Sequence, residues 1–204
     1  MHIELIDLLR CPKIHEETWL VAAFTTIQDR IVEEGKLGCP VCSAEYPIQF
    51  GIADFAEEGR GMVLCSGGLQ QDPEAAIRLA AFLNLTKPGS LAVLQEEHAA
   101  LANLVGELTQ CRVLALDPAV KVTDTEMAAS AHSDSRIPLA SGSVDAVALT
   151  DSRYLDDAAR VLRQGGRLLA PSGVILPAGF AELARDDADV VAEAHGPVIS
   201  LRRP

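Results

Sequence analysis

Four residues in the first quarter of the chain have the types and spacing of metal ligands. Cys11 and His15 stand in Cys11-Pro12-Lys13-Ile14-His15, and Cys39 and Cys42 in Cys39-Pro40-Val41-Cys42. Each pair fits within one tight turn, and a hairpin's worth of chain separates the turns. Two such turns facing one another present three thiolates and one imidazole tetrahedrally, a donor set that zinc accepts. Protein fills all four positions, so no place remains for a reactive water and the role is structural. The competing reading is a group of buried thiols with His15 at the surface. A Cys-x-x-Cys pair opposite a Cys-Pro turn favours the metal. His15 is separated from Cys11 by three residues, which leaves Glu16 or a water as the alternative fourth ligand.

The remaining candidates are scattered. His98 could act as a base beside Glu97, but a histidine in the first turn of a helix is more often a surface or satisfied residue. Cys111 begins an apolar strand and reads as core. Cys65 sits among glycines with nothing nearby to lower its pKa. Tyr154 reads as an ordinary half-buried tyrosine, and no catalytic residue is assigned.

The cysteine turns need elements to hold them. A short helix is expected over 3–9, β-prone runs over 19–26 and 30–36 bracket a hairpin, and Tyr46-Pro47-Ile48 follows as an extended exit. Residues 57–71 contain Gly59, Gly61, Gly67 and Gly68 with few large apolar side chains, which suits a flexible connector. The expected organisation is therefore a ribbon over 1–56, the connector over 57–71 and an α/β domain over 72–204. Asp72-Pro73-Glu74 opens a helix that runs to about Leu83, with a capping carboxylate and proline at the first helical position. Next come a strand at 91–94, a helix with Leu101, Leu104, Val105 and Leu108 on one stripe, and a strand at 112–116 ending in Asp117-Pro118. Further strands are expected at 127–131, 144–149 and 167–170, with a helix at 154–163 closed by Gly165-Gly166. Alternating strands and helices imply a mostly parallel, Rossmann-like α/β sheet covered on both faces. The tail departs from that rhythm, and strands at 180–185 and 198–202 suggest an antiparallel edge.

With 29 acidic and 17 basic residues the chain carries a formal net charge of -12. A non-specific grip on a phosphate backbone displaces counterions with Lys and Arg, so nucleic acid is not the expected partner. No measurable duplex binding is expected at physiological salt. Neither half compensates, since residues 1–55 carry 4 Lys/Arg and 9 Asp/Glu. No run approaches the roughly twenty apolar residues of a membrane span, and the first residues interrupt apolar positions with charge. The expectation is a soluble cytoplasmic protein whose partner is another protein or a second copy. Five cysteines spaced as a metal site plus two spare thiols fit a reducing compartment.

Two sets of residues resemble known families. Leu8-Leu9-Arg10-Cys11-Pro12, Leu37-Gly38-Cys39-Pro40-Val41-Cys42, Ala44-Glu45-Tyr46-Pro47-Ile48 and Gly51-Ile52 look like the zinc-ribbon proteins that activate tRNA and protein methyltransferases. They also look like the ribbon at the front of some rRNA methyltransferases. In that family the first ligand pair is usually two cysteines, so His15 is a departure. The resemblance implies a ribbon that docks on a methyltransferase-like domain. The runs 137–147 and 158–169 are similar to the fourth strand, following helix and fifth strand of class I S-adenosylmethionine methyltransferases. These segments are scaffold and show no chemistry.

In that family, chemistry depends on a glycine turn after the first strand, where the backbone approaches the cofactor. Here Leu91-Ala92-Val93-Leu94 is followed by Gln95-Glu96-Glu97-His98-Ala99-Ala100, without a glycine, so side chains are expected to fill the cofactor's space. The resemblance would give Asp117 a role on ribose hydroxyls and would set Ser133 and Asp134 near an adenine. Against this, Asp117 could start a turn with Pro118, and Asp134 could cap or solvate a loop. The reading of the whole is a non-catalytic binding or scaffolding module with structural zinc. The alternatives are an S-adenosylmethionine-dependent methyltransferase with an atypical cofactor loop, and an activating subunit of another enzyme.

Overall fold

The computed structural model describes residues 1–56, 72–120, 122–134 and 136–195. The elements are α1 (Ile3–Ile6), β1 (Val21–Gln28), β2 (Ile31–Gly38), β3 (Glu45–Gln49), β4 (Ile52–Asp54), α2 (Pro73–Phe82), β5 (Leu91–Gln95), α3 (Ala102–Thr109), β6 (Arg112–Leu116), β7 (Ala128–His132), β8 (Val144–Ala148), α4 (Leu155–Val161), β9 (Leu162–Pro171), β10 (Phe180–Arg185) and β11 (Asp189–Ala194). A short 3-10 helix, His98–Leu101, leads into α3. The expected connector at 57–71, Cys65 within it and the expected strand at 198–202 lie outside the described residues.

The strands form one sheet in the order β1-β2-β3-β4-β7-β6-β5-β8-β9-β11-β10. Within the run β4-β7-β6-β5-β8-β9 each adjacent pair is parallel. Counted from β5, the order is third, second, first, fourth, fifth, the doubly wound arrangement whose direction of winding reverses between β5 and β8. Hairpin β10–β11 adds an antiparallel edge to β9, and β1 to β3 add another beyond β4. The fold is α/β with a mostly parallel centre and antiparallel edges.

Apolar residues on alternate positions build both faces. Leu91 and Val93 join the core beneath α4, whereas Ala92 and Leu94 join the core beneath α2 and α3. Helix α2 starts where expected, with Asp72 Oδ1 accepting from the Glu74 and Ala75 N–H groups at 2.9 and 3.2 Å. Among the described residues no helix stands between β7 and β8. The N-terminal segment fills that face instead, with Leu5, Ile6 and Leu9 all buried and Leu9 bridged to Leu139. Each such side chain contributes about 1.5–3 kcal/mol. Strand β4 joins β7 directly, pairing Ile52 with Ser130 and Asp54 with His132. The ribbon and the α/β segment therefore share one sheet and one core.

Three expectations need correction. Helix α4 ends at Val161, and the chain enters β9 at Leu162 without waiting for the glycines. Gly165, at φ +77°, takes up a register shift within β9 rather than capping a helix. The hairpin's second strand is β11, ahead of the expected 198–202, with Val190, Ala192 and Ala194 buried on one face and Asp189, Val191 and Glu193 on the other. Leu108 is exposed, and α3 is buried through Ala102, Val105 and Gly106.

Gly51 is the most crowded of the described glycines. It holds φ +83°, and an added Cβ would lie 2.0 Å from Asp124 Oδ2 and 2.9 Å from the Met1 nitrogen. Gly51→Ala is expected to destabilise the protein by about 2–3 kcal/mol. In urea titration the midpoint should fall with the slope unchanged.

Candidate metal centre

The two cysteine turns meet as their spacing demands. The ligand atoms of Cys11, His15, Cys39 and Cys42 all lie within 4.8 Å of one another. Cys11 Sγ is 3.7 Å from Cys42 Sγ, and Cys39 Sγ is 3.4 Å from His15 Nε2. A tetrahedral zinc with ordinary bond lengths separates sulfurs by about 3.8 Å and sulfur from nitrogen by about 3.5 Å. These two distances match such an ion, and the cluster could hold one.

Local structure holds each ligand. The His15 Nδ1 atom lies 2.6 Å from the Glu16 carbonyl, which places the ring proton there and leaves Nε2 to face the thiols. Glu16 contributes this carbonyl, and its carboxylate is not among the clustered ligand atoms. The Tyr46 hydroxyl lies 3.1 Å from Cys11 Sγ. Burial raises the Cys11 thiol to about 11. Burial acts the same way on Cys39, but the Cys42 and Val41 N–H groups outweigh it and bring that thiol down to about 7. A divalent cation would draw both into the thiolate form.

The loop carrying Cys11 and His15 is fastened to the α/β segment. Glu17 accepts from the Ser141 hydroxyl at 2.5 Å, the Ser141 N–H at 3.0 Å and Arg160 at 3.1 Å. Arg136 donates to the Pro12 carbonyl at 3.1 Å. Both arginines converge on the buried Asp157, whose Oδ2 also accepts from the Ile137 N–H at 2.5 Å. None of these ties has a local sequence signature, and reading the sequence missed them.

The second candidate region is the carboxyl end of the parallel strands, where doubly wound sheets bind ligands at the reversal of strand order. Gln95 is buried, and its amide oxygen accepts from the Thr150 N–H at 3.0 Å while its NH2 donates to Asp151 at 3.0 Å. Glu96 takes the left-handed turn at φ +47° that glycine would otherwise occupy. Its carboxylate accepts from Arg153 at 2.8 Å and from the Thr150 hydroxyl at 2.9 Å, bridging β5 to the turn after β8. Arg153 also lies 3.6 Å from Asp117 and 4.9 Å from the Tyr154 ring centre. This lattice spans the switch point.

Asp117 and Ser133 are committed within the chain. Asp117 Oδ1 accepts from the Ser133 N–H at 3.0 Å, and its Oδ2 lies 2.7 Å from the Tyr154 hydroxyl. Tyr154 is fully buried, not half-buried, and its hydroxyl also contacts the Ser133 carbonyl. The Ser133 hydroxyl donates to the Arg136 carbonyl at 2.6 Å. Burial pushes the Asp117 carboxyl up, but His132, Tyr154, the Ser133 N–H and the Arg153 charge outweigh it and hold it below its usual value. A depressed carboxyl stabilises the fold above its unfolded value of about 3.9 and loses that contribution as pH falls through the folded value. Asp117→Asn should therefore flatten the acid limb of stability, read by denaturant titration between pH 6 and pH 3.

A cleft of about 770 Å³ opens between the cysteine turns and the loop after β7, and Ser133 and Asp134 line it together with His15, Cys42, Tyr46 and Phe55. Cys111 is buried just before β6, as expected. His98 is half-buried, and burial lowers its pKa. Among the described residues no helix is long and apolar enough to cross a membrane.

No protein-family model matches the chain. No curated protein matches it either. Solved structures of low similarity do. Geranyl diphosphate C-methyltransferase from Streptomyces coelicolor A3(2) is 16% identical with a TM-score of 0.41, over 48% of this chain and 42% of its own. An S-adenosyl-L-methionine-dependent methyltransferase described as putative, from Methanococcus maripaludis, is 9% identical with a TM-score of 0.44, over 60% and 84%. The cyclase SpnF is 14% identical with a TM-score of 0.43, over 58% and 62%. The chain spans less than half the length of the geranyl diphosphate methyltransferases it matches. The fold class rests on the strand order of the chain itself, not on these likenesses.

Proposed function

We propose that the chain is a non-catalytic, methyltransferase-like binding module whose ribbon is held by one structural zinc at Cys11, His15, Cys39 and Cys42. The observation that carries this reading is the lattice at the switch point. Glu96, Asp117 and Asp151 share Arg153 where a nucleoside cofactor would lie. Displacing Arg153 to admit a ligand would leave the mostly buried Asp117 carboxylate without its cation, and in this reading the crevice stays closed.

The metal supports the fold and carries no reaction in this reading, because protein atoms supply all four ligands. Its residues orient the loop from Cys11 to Glu17, and that loop clamps Ser141, Arg136 and Arg160. An activating role on a separate enzyme finds less support, since β4, the ribbon strand next to the parallel sheet, is already paired with β7 of the same chain. The S-adenosylmethionine-dependent alternative draws support from Ser133 and Asp134 on the cleft wall.

Thermal melts with S-adenosylhomocysteine separate the two. The wild-type protein is expected to show no shift at millimolar ligand, and a rise of several degrees at micromolar ligand would favour the enzyme.

A further inference from the structure

We infer that β1 is a self-association edge, and that two copies of this chain pair there antiparallel about a two-fold axis between Ala22 and Ala23. Strand β1 ends the sheet, with β2 on one side and no strand among the described residues on the other. A terminal strand presents a row of backbone donors and acceptors, and proteins usually guard it with charge or proline. The opposite edge, β10, carries Glu182 and Arg185. By contrast, residues 18–28 contain no charged residue and no proline.

The side chains along the edge are also apolar and exposed. Trp19, Val21, Phe24 and Ile27 show 67%, 65%, 43% and 50% of their surfaces, and no other stretch of the described residues groups exposed large apolar side chains so densely. Charge selects the occupant. Each copy carries a net -12, so repulsion between two copies is least where they meet through an uncharged surface, and a two-fold contact sets this strand against itself. A cationic partner would be drawn to the acidic surface elsewhere rather than to the run that lacks charge. Register narrows the contact further. Pairing of β1 with β2 is regular from Val21 to Phe24 and shifts at Phe24–Ile27. An axis between Ala22 and Ala23 uses the regular stretch, setting Val21 against Phe24 of the partner with the small alanines at the centre. The contact does not depend on whether the crevice admits a cofactor.

Sedimentation of the full zinc-loaded chain tests this. At 10–100 µM the expected mass is twice 21.7 kDa. Raising salt from 20 to 500 mM should tighten the dimer, because screening weakens repulsion between two acidic copies. Ala23→Lys sets two lysines near the axis on an exposed position and should give a monomer with an unchanged circular dichroism spectrum. Val21→Lys should weaken the dimer at least tenfold. A wild-type monomer at 100 µM, a mass that grows beyond two copies, or an Ala23→Lys protein that dimerises like the wild type would overturn the inference. Should Ala23→Lys fail to fold, Val21→Lys decides in its place, and a Val21→Lys protein that dimerises as tightly as the wild type would overturn the inference equally.

Discussion

Stripping the metal, or replacing Cys39 with serine, is expected to unfold residues 1–56 and to weaken the rest of the chain with them. The turn from Cys11 to His15 has no helix or strand of its own, and Cys11 is held by the Lys13 N–H and the Tyr46 hydroxyl. Without a cation, three thiols and an imidazole crowd within 4.8 Å and gain only weak contacts from one another. Structural zinc contributes about 10–16 kcal/mol in small finger peptides, and here the apolar contacts of Leu5, Ile6 and Leu9 replace part of that. A loss on the order of 5 kcal/mol is therefore expected. Because β4 is paired with β7, the loss should spread into the parallel sheet and lower its melting temperature as well. Elemental analysis should find about one zinc per chain, and melts with and without chelator should differ by well over ten degrees. A metal-free protein with the same melting temperature would contradict the account of the ribbon.

Asp157→Ala should be the most damaging single change away from the cysteines. The carboxylate accepts from Ile137 N at 2.5 Å and from Arg160 at 2.7 and 2.9 Å, and lies 3.4 Å from Arg136. Its removal leaves two partly buried guanidinium groups and a backbone N–H without their shared acceptor. Breaking a buried pair from one side costs about 3–5 kcal/mol. The same arginines reach Pro12 and Glu17, so the loop that presents Cys11 and His15 loses its support. Asp157→Ala should release zinc to a chelator faster than wild type, and Asp157→Asn, which keeps one acceptor, should lie between them. A stability change below about 1 kcal/mol would show that the clamp is a surface network of the ordinary weak kind.

The sequence announced the parts whose causes are local. Buried parallel strands need unbroken apolar runs, so β5, β6 and β8 fall within a residue or so of expectation. Metal ligands must be brought together by turns, so Cys39-Pro40-Val41-Cys42 is visible as a site before any fold is known. Asp72-Pro73 starts α2 through its own side-chain cap. Other features depend on partners far along the chain. Strand β11 hides because its inward residues, Val190, Ala192 and Ala194, are small and its outward ones include Asp189 and Glu193. The join between ribbon and sheet lies in three residues, Ile52–Asp54, too few for a periodic signal. Arg153 and Glu96 stand 57 positions apart, and neither shows in sequence that it will meet the other. The glycine-free turn after β5 is the place where Glu96 meets Thr150 and Arg153, a contact that the sequence does not show.

The most direct test is calorimetric titration of S-adenosylmethionine into the zinc-loaded wild-type protein at neutral pH. The proposed closure of the crevice by Glu96, Asp117 and Arg153 predicts no saturable heat up to millimolar ligand. Saturable one-to-one binding in the micromolar range, abolished by Asp117→Ala, would contradict it.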